Sequence, residues 1–311
     1  MGCALIWVLL VLAVCVVAAP FIVERRRKPM DGIARNEAPG DFAELTDGTT
    51  HIRQIGPVRG PVVVCVHGLT TSEYVWGDIG LDLIDAGFRV VTYDLYGRGY
   101  SDRPRGAQDE AFFVRQLTEV LEAKGHTGSV ILMGYSMGAA ISVAFAAAHP
   151  DKVDKLILIA PAGLSDAASG LDRFARDVPL LGDWITLVFG SALRKWRYAR
   201  STETDPKRVA FAHKQLAESD YRGFLPAVLS SARHMLRQDQ RALHRGLENT
   251  RVPTLSIWGE EDSVIPISAL GEMTKANRTV THHTVPSADH GVPYTHADAV
   301  AKAVRAFLLN G

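Results

Sequence analysis

Apolar residues along this chain fall into short blocks, and the blocks alternate in kind. Residues 61–66, 89–93, 129–133 and 155–159 are dense in Val, Ile and Leu. Such runs are the mark of strands buried on both faces. Between them, residues 76–86, 110–124 and 137–149 repeat apolar positions at helical spacing, and Gly87, Gly125 and Pro150 punctuate their ends. Regular strand–helix succession predicts a mostly parallel central sheet flanked by helices, an α/β fold. The rhythm then breaks. Residues 164–249 carry helical patterns rich in Arg, Leu and Ala with no strong strand. Strand-like runs resume at 254–258 and 279–285, and a final helix is predicted over 296–309. The long helical insertion predicts a cap over the sheet, placed before the penultimate strand. The chain accordingly divides into residues 1–24, an N-terminal anchor; 25–40, a basic linker; 41–163 with 250–311, the α/β core; and 164–249, the cap.

The first block differs from the others. Residues 3–23 contain no charge, and about 20 apolar residues suffice to cross a bilayer as a helix. Glu24 and the cluster Arg25-Arg26-Arg27-Lys28 follow at once. A secretory signal carries its positive charge ahead of the apolar stretch, whereas here only the terminal amine precedes it. The pattern favours an uncleaved single-pass anchor with the catalytic domain in the cytoplasm. The alternative is a signal peptide cut near Ala18-Ala19-Pro20 and a secreted or periplasmic protein. The stretch 12–15 only faintly resembles a lipoprotein box, since Val14 stands where a small residue belongs.

Bulk composition narrows the chemistry. The chain has 311 residues, 47% hydrophobic and 22% charged, with a formal net charge of zero. That is enough for a sizeable core, and no basic excess points to nucleic acid. Cys3, Cys15 and Cys65 form no disulfide framework, and no zinc-type Cys/His spacing occurs. No metal or organic cofactor is expected.

The most specific motif is Gly134-Tyr135-Ser136-Met137-Gly138, a G-x-S-x-G. A strand-like run ends just before it and an Ala-rich helix begins within it, the setting in which a serine is raised above a sheet on a sharp turn. Ser136 is therefore the candidate nucleophile. A serine hydroxyl needs a base within hydrogen-bond reach. Among eleven histidines, His290 lies in a loop after the last predicted strand, while His282, His283 and His296 lie within predicted elements. The acid that orients the base is expected after the penultimate strand, where Glu260, Glu261 and Asp262 are adjacent. Asp262 is favoured because Gly259, two residues, an acid, three residues and Pro266 reproduce a familiar loop. The turn His67-Gly68-Leu69-Thr70 follows the first buried strand. It can aim a backbone N–H at a reacting carbonyl, with Leu69 the first candidate and Thr70 the second. The N–H of Met137 would complete the oxyanion hole. His67 reads as structural.

With these residues assembled, residues 42–309 resemble the α/β-hydrolase superfamily, in which the triad order is Ser…Asp…His. It most resembles the capped branch of serine hydrolases that contains monoacylglycerol lipases, carboxylesterases, C–C bond hydrolases and haloperoxidase-like enzymes. The stretch 94–102 resembles the D-x-x-G-x-G-x-S loop of that family, which is mainly structural and borders the pocket. Epoxide hydrolases and haloalkane dehalogenases carry an aspartate where this chain has Ser136. The resemblance implies hydrolysis of carboxylic esters, monoacylglycerol or other lipid esters among them, through an acyl-enzyme. The same triad also serves C–C bond, lactone and thioester hydrolysis. A non-catalytic, membrane-tethered binding protein is the third reading. Residues 178–196, with two tryptophans and a basic end, suit a cap helix that either meets the membrane or merely lines an apolar pocket.

Overall fold

In the computed structural model, which describes residues 2–166, 168 and 170–309, eight strands form one sheet. The strands are β1 (Asp41–Leu45), β2 (Gly48–Ile55), β3 (Val62–Val66), β4 (Arg89–Tyr93), β5 (Val130–Tyr135), β6 (Val153–Ile159), β7 (Thr254–Gly259) and β8 (Thr281–Val285). Their spatial order is β1-β2-β4-β3-β5-β6-β7-β8. From β4 to β8 all neighbours run parallel, and β1 and β2 join antiparallel at one edge. The hydropathy pattern does not predict β1 and β2, because Thr49, Thr50 and His51 are buried there without being apolar. The fold is the expected α/β-hydrolase fold, with a mostly parallel sheet between two layers of helices.

The two layers bury separate cores. On one face the helices Glu110–Ala123 and Met137–Ala148 pack Phe113, Leu117, Ile141 and Phe145 onto the sheet. On the other, Gly77–Asp85 and Ala297–Leu309 contribute Ile79, Leu83, Val300 and Val304. β5 is buried at every position, so it has no polar face to alternate with. Ligands of such sheets gather beyond the C-terminal ends of the strands. Four helices lie over that end, Gly170–Asp177, Leu181–Ala199, Pro206–Glu218 and Phe224–His234, whereas Arg241–Glu248 packs against Met137–Ala148 and Ser268–Ala276. Arg233 ties three of them together, donating to Asp183 at 2.8 Å and to the carbonyls of Ala175 and Arg176.

The N-terminal helix Gly2–Arg26 packs against Leu181–Ala199. Within Cys3–Arg26 an 18-residue stretch reaches mean hydropathy 3.0, and the helix is mostly exposed and long and apolar enough to cross a membrane. Pro20 lies inside it and has no N–H to offer the carbonyl four residues back. That carbonyl belongs to Val16, and the indole N–H of Trp184 donates to it at 2.7 Å. Below this contact the chain is pinned rather than loose. Arg27 donates to the carbonyls of Leu187 and Ser219, and Lys28 bridges to Tyr221. Arg35 then donates to Tyr100 O at 2.9 Å and to Asp102.

Candidate active site

Four strand ends supply the site. At the end of β5 the chain reverses at Ser136, whose φ of 54° lies in the left-handed region that non-glycine residues avoid. The turn is held by Ser136 N–H donating to Ile159 O at 2.9 Å and by its carbonyl accepting from Ala139 at 3.0 Å. Its tightness explains two glycines. A Cβ on Gly138 would strike the carbonyls of Val66 and His67, and one on Gly134 would strike the backbone of Gly138 and Ala139.

After β7, Asp262 turns back under the sheet edge and is buried, whereas Glu260 and Glu261 are exposed. Asp262 Oδ1 accepts from the backbone N–H of Val264 at 2.8 Å and of Ile265 at 2.7 Å. Its Oδ2 lies 2.8 Å from His290 Nδ1. His290 Nε2 in turn lies 3.0 Å from Ser136 Oγ. The structure thus brings Ser136, His290 and Asp262 into one hydrogen-bonded line. A carboxylate fixed by two backbone donors has one oxygen left for the ring, which sets the tautomer with the Nδ1 proton and an acceptor at Nε2. The other histidines weighed from the sequence are elsewhere: His282 bonds to Ser256 and Thr274, and His296 to Thr295.

β3 delivers the fourth part. His67 is fully buried, its Nδ1 at 2.9 Å from Gly68 O and its Nε2 accepting from Leu95 N–H at 2.8 Å. Burial pushes its pKa down to about 4, so at neutral pH it is an uncharged brace for the turn. Leu69 and Thr70 line the same cavity as Ser136 and His290. Met137, the first residue of the helix after the turn, follows Ser136 directly and is fully buried. Helix N-termini carry free N–H groups and favour developing negative charge there.

Sequence reasoning did not single out two supports. Arg98, in the loop after β4, is fully buried and donates from Nε to Leu69 O at 2.9 Å and from Nη2 to Ser231 Oγ at 2.9 Å. It therefore joins the turn after β3 to the cap. Tyr135 donates from its hydroxyl to His290 O at 2.8 Å, fixing the histidine loop. Both occupy variable positions inside motifs visible in the sequence, but long-range contacts of this kind leave no periodic signal. The rest of the loop is structural: Asp94 accepts from Glu73 N–H and Tyr100 N–H and pairs with His51. Among the described residues, no group of three or more His, Cys, Asp or Glu is placed to hold a metal ion.

The line of three residues sits at the floor of a cavity of about 540 Å³ roofed by the cap. Apolar side chains such as Ile185, Leu193, Leu225 and Leu229 dominate its upper wall.

The chain is similar to a 2-(acetamidomethylene)succinate hydrolase of Mesorhizobium japonicum, at 29% identity over 84% of this chain and 91% of the relative. Its backbone is similar to that of a thermophilic esterase from Thermogutta terrifontis, with a TM-score of 0.71 and 23% identity over 88% of this chain and 96% of the other. It is also similar to the enol-lactonase of Burkholderia xenovorans LB400, with a TM-score of 0.69 and 22% identity over 86% and 100% of the two chains. Residues 61–297 match the model of the alpha/beta hydrolase fold family, and to that family this chain belongs.

Proposed function

We propose that this protein is a membrane-anchored serine hydrolase that cleaves carboxylic esters, with monoacylglycerols and other lipid esters as the substrate class. The observation that carries the reading is the unbroken line Ser136–His290–Asp262 beneath an apolar cavity. Ser136 Oγ attacks the ester carbonyl carbon while His290 Nε2 takes the hydroxyl proton. The carbonyl oxygen becomes an oxyanion and rests on the N–H groups of Leu69 and Met137. Asp262 stabilises the imidazolium. The tetrahedral carbon then collapses, the bond to the alcohol oxygen breaks, and His290 returns its proton to that oxygen. A water activated by His290 attacks the acyl-enzyme, releases the acid and restores Ser136.

The anchored reading is supported by the seat of the N-terminal helix on the cap, through Val16, Arg27 and Lys28. The basic cluster after it favours a cytoplasmic catalytic domain. A second reading keeps the same triad and applies it to a C–C bond, lactone or thioester.

The test uses short- and long-chain nitrophenyl esters. Wild type should turn them over, and Ser136→Ala should lose nearly all activity while keeping the fold, since members of such a unit fail together. A clean Ser136→Ala sample that keeps a tenth of the rate would exclude the mechanism.

A further inference from the structure

Among the described residues, each charged side chain in the wall of the cavity above Ser136 forms an ion pair, except one. Arg176 pairs with Asp166 at 2.6 Å, Arg197 with Asp172 at 3.4 Å, and Asp289 with Arg208. Arg194, one turn before Arg197 on the helix Leu181–Ala199, also lines the cavity. Among the described residues it forms no salt bridge and donates no hydrogen bond, and its Nε is buried without a partner. The ring of Phe224 lies 5.7 Å from the guanidinium carbon, and the carboxylates of Asp172 and Glu218 are near enough to attract it without forming a salt bridge. A cation over an aromatic face recovers only part of what water would provide.

A guanidinium stays charged at neutral pH even where burial lowers its pKa. Leaving its donors unmet is costly, so a group of this kind calls for an acceptor. Asp172 lies near enough to attract it but is taken by Arg197. The space in front of Arg194 is the substrate cavity itself, and its remaining wall is largely apolar.

We infer that Arg194 binds an anionic group of the substrate. The ester then carries a carboxylate or a phosphate, separated by an apolar spacer from the carbonyl that Ser136 attacks. The planar guanidinium takes either anion through two parallel N–H bonds. This rests on the ester hydrolysis proposed above and narrows it, because a neutral monoacylglycerol leaves Arg194 unmatched.

Two substrate pairs separate the sources of the anion. Nitrophenyl hydrogen suberate against nitrophenyl octanoate places a carboxylate at the acyl end. Lysophosphatidate against monoacylglycerol of the same acyl chain, in mixed micelles, places a phosphate on the alcohol. The readout is the ratio of kcat/KM within each pair. Wild type should favour the charged member of at least one pair, and Arg194→Met should lower that ratio roughly 10- to 100-fold. Arg194→Lys, which keeps the charge and loses the fork, should fall in between and serves if the Met variant does not fold. A ratio unchanged by either substitution overturns the assignment, as does a wild type that favours the neutral member of both pairs. Binding of suberate and glycerol 3-phosphate to Ser136→Ala protein, with and without Arg194→Met, reads the anion site without turnover. Weaker binding in the double variant supports it, and equal binding overturns it even if the ester reading itself fails.

Discussion

Ser136 is held in a backbone conformation that costs energy, and the neighbours that hold it are glycines for want of room. Nothing comparable constrains the acid, and Asp262 earns its place by burial and by two backbone donors. Asp262→Asn keeps the shape but presents a donor as readily as an acceptor to His290 Nδ1, which upsets the tautomer. Its kcat should fall by roughly three to four orders of magnitude. Glu260→Gln and Glu261→Gln, both in solvent, should stay within about twofold of wild type, as for ordinary surface changes. A larger loss in Glu261→Gln would show that the wrong carboxylate was chosen. The local spacing to Pro266 made Asp262 legible, and the turn signature did the same for Ser136. Arg98 and Arg194 were not legible, because their meaning lies in partners more than a hundred residues away or in the lack of one.

At the scale of elements, the pattern of apolar runs was enough wherever both faces of a strand are buried, as in β3 to β7. It failed at β1 and β2, an edge hairpin whose buried positions are filled by hydrogen-bonded polar residues such as Thr50 and His51. The helix Arg241–Glu248 has a second concealed feature. It packs against Met137–Ala148 and buries His244, both of whose ring nitrogens lack a partner. Burial pushes the pKa of His244 from the ordinary 6.5 down to about 4. The folded state thus keeps the ring neutral where the unfolded chain binds a proton. Its contribution to stability is complete above pH 6.5 and is lost as the pH falls toward 4. His67 adds a loss of the same sign. Replacing the imidazole in His244→Leu removes one of the two. Between pH 7 and pH 5 the variant should lose roughly 2 kcal/mol less stability than wild type. Urea melts at the two pH values measure this, and equal losses would count against a neutral buried His244.

For the whole molecule, the contact between Trp184 and the carbonyl freed by Pro20 acts as a depth gauge. Val16 lies eight residues before Glu24, the first charge after the apolar run, or about 12 Å along a helix at 1.5 Å per residue. If that run lies in lipid, the cap helix that grips Val16 meets it well inside the charged edge. The cap would then float partly submerged, its Leu180, Leu181 and Phe189 among the acyl chains, to the depth usual for an interfacial helix. Bromine on the acyl chains should quench a share of the tryptophan emission that is missing in Trp184→Phe. Equal quenching of the two proteins would put the cap outside the lipid. Because the helix that carries Trp184 also supplies Ile185 and Leu193 to the cavity wall, a cap so placed would let a lipid ester reach Ser136 sideways from its own leaflet, without first dissolving in water.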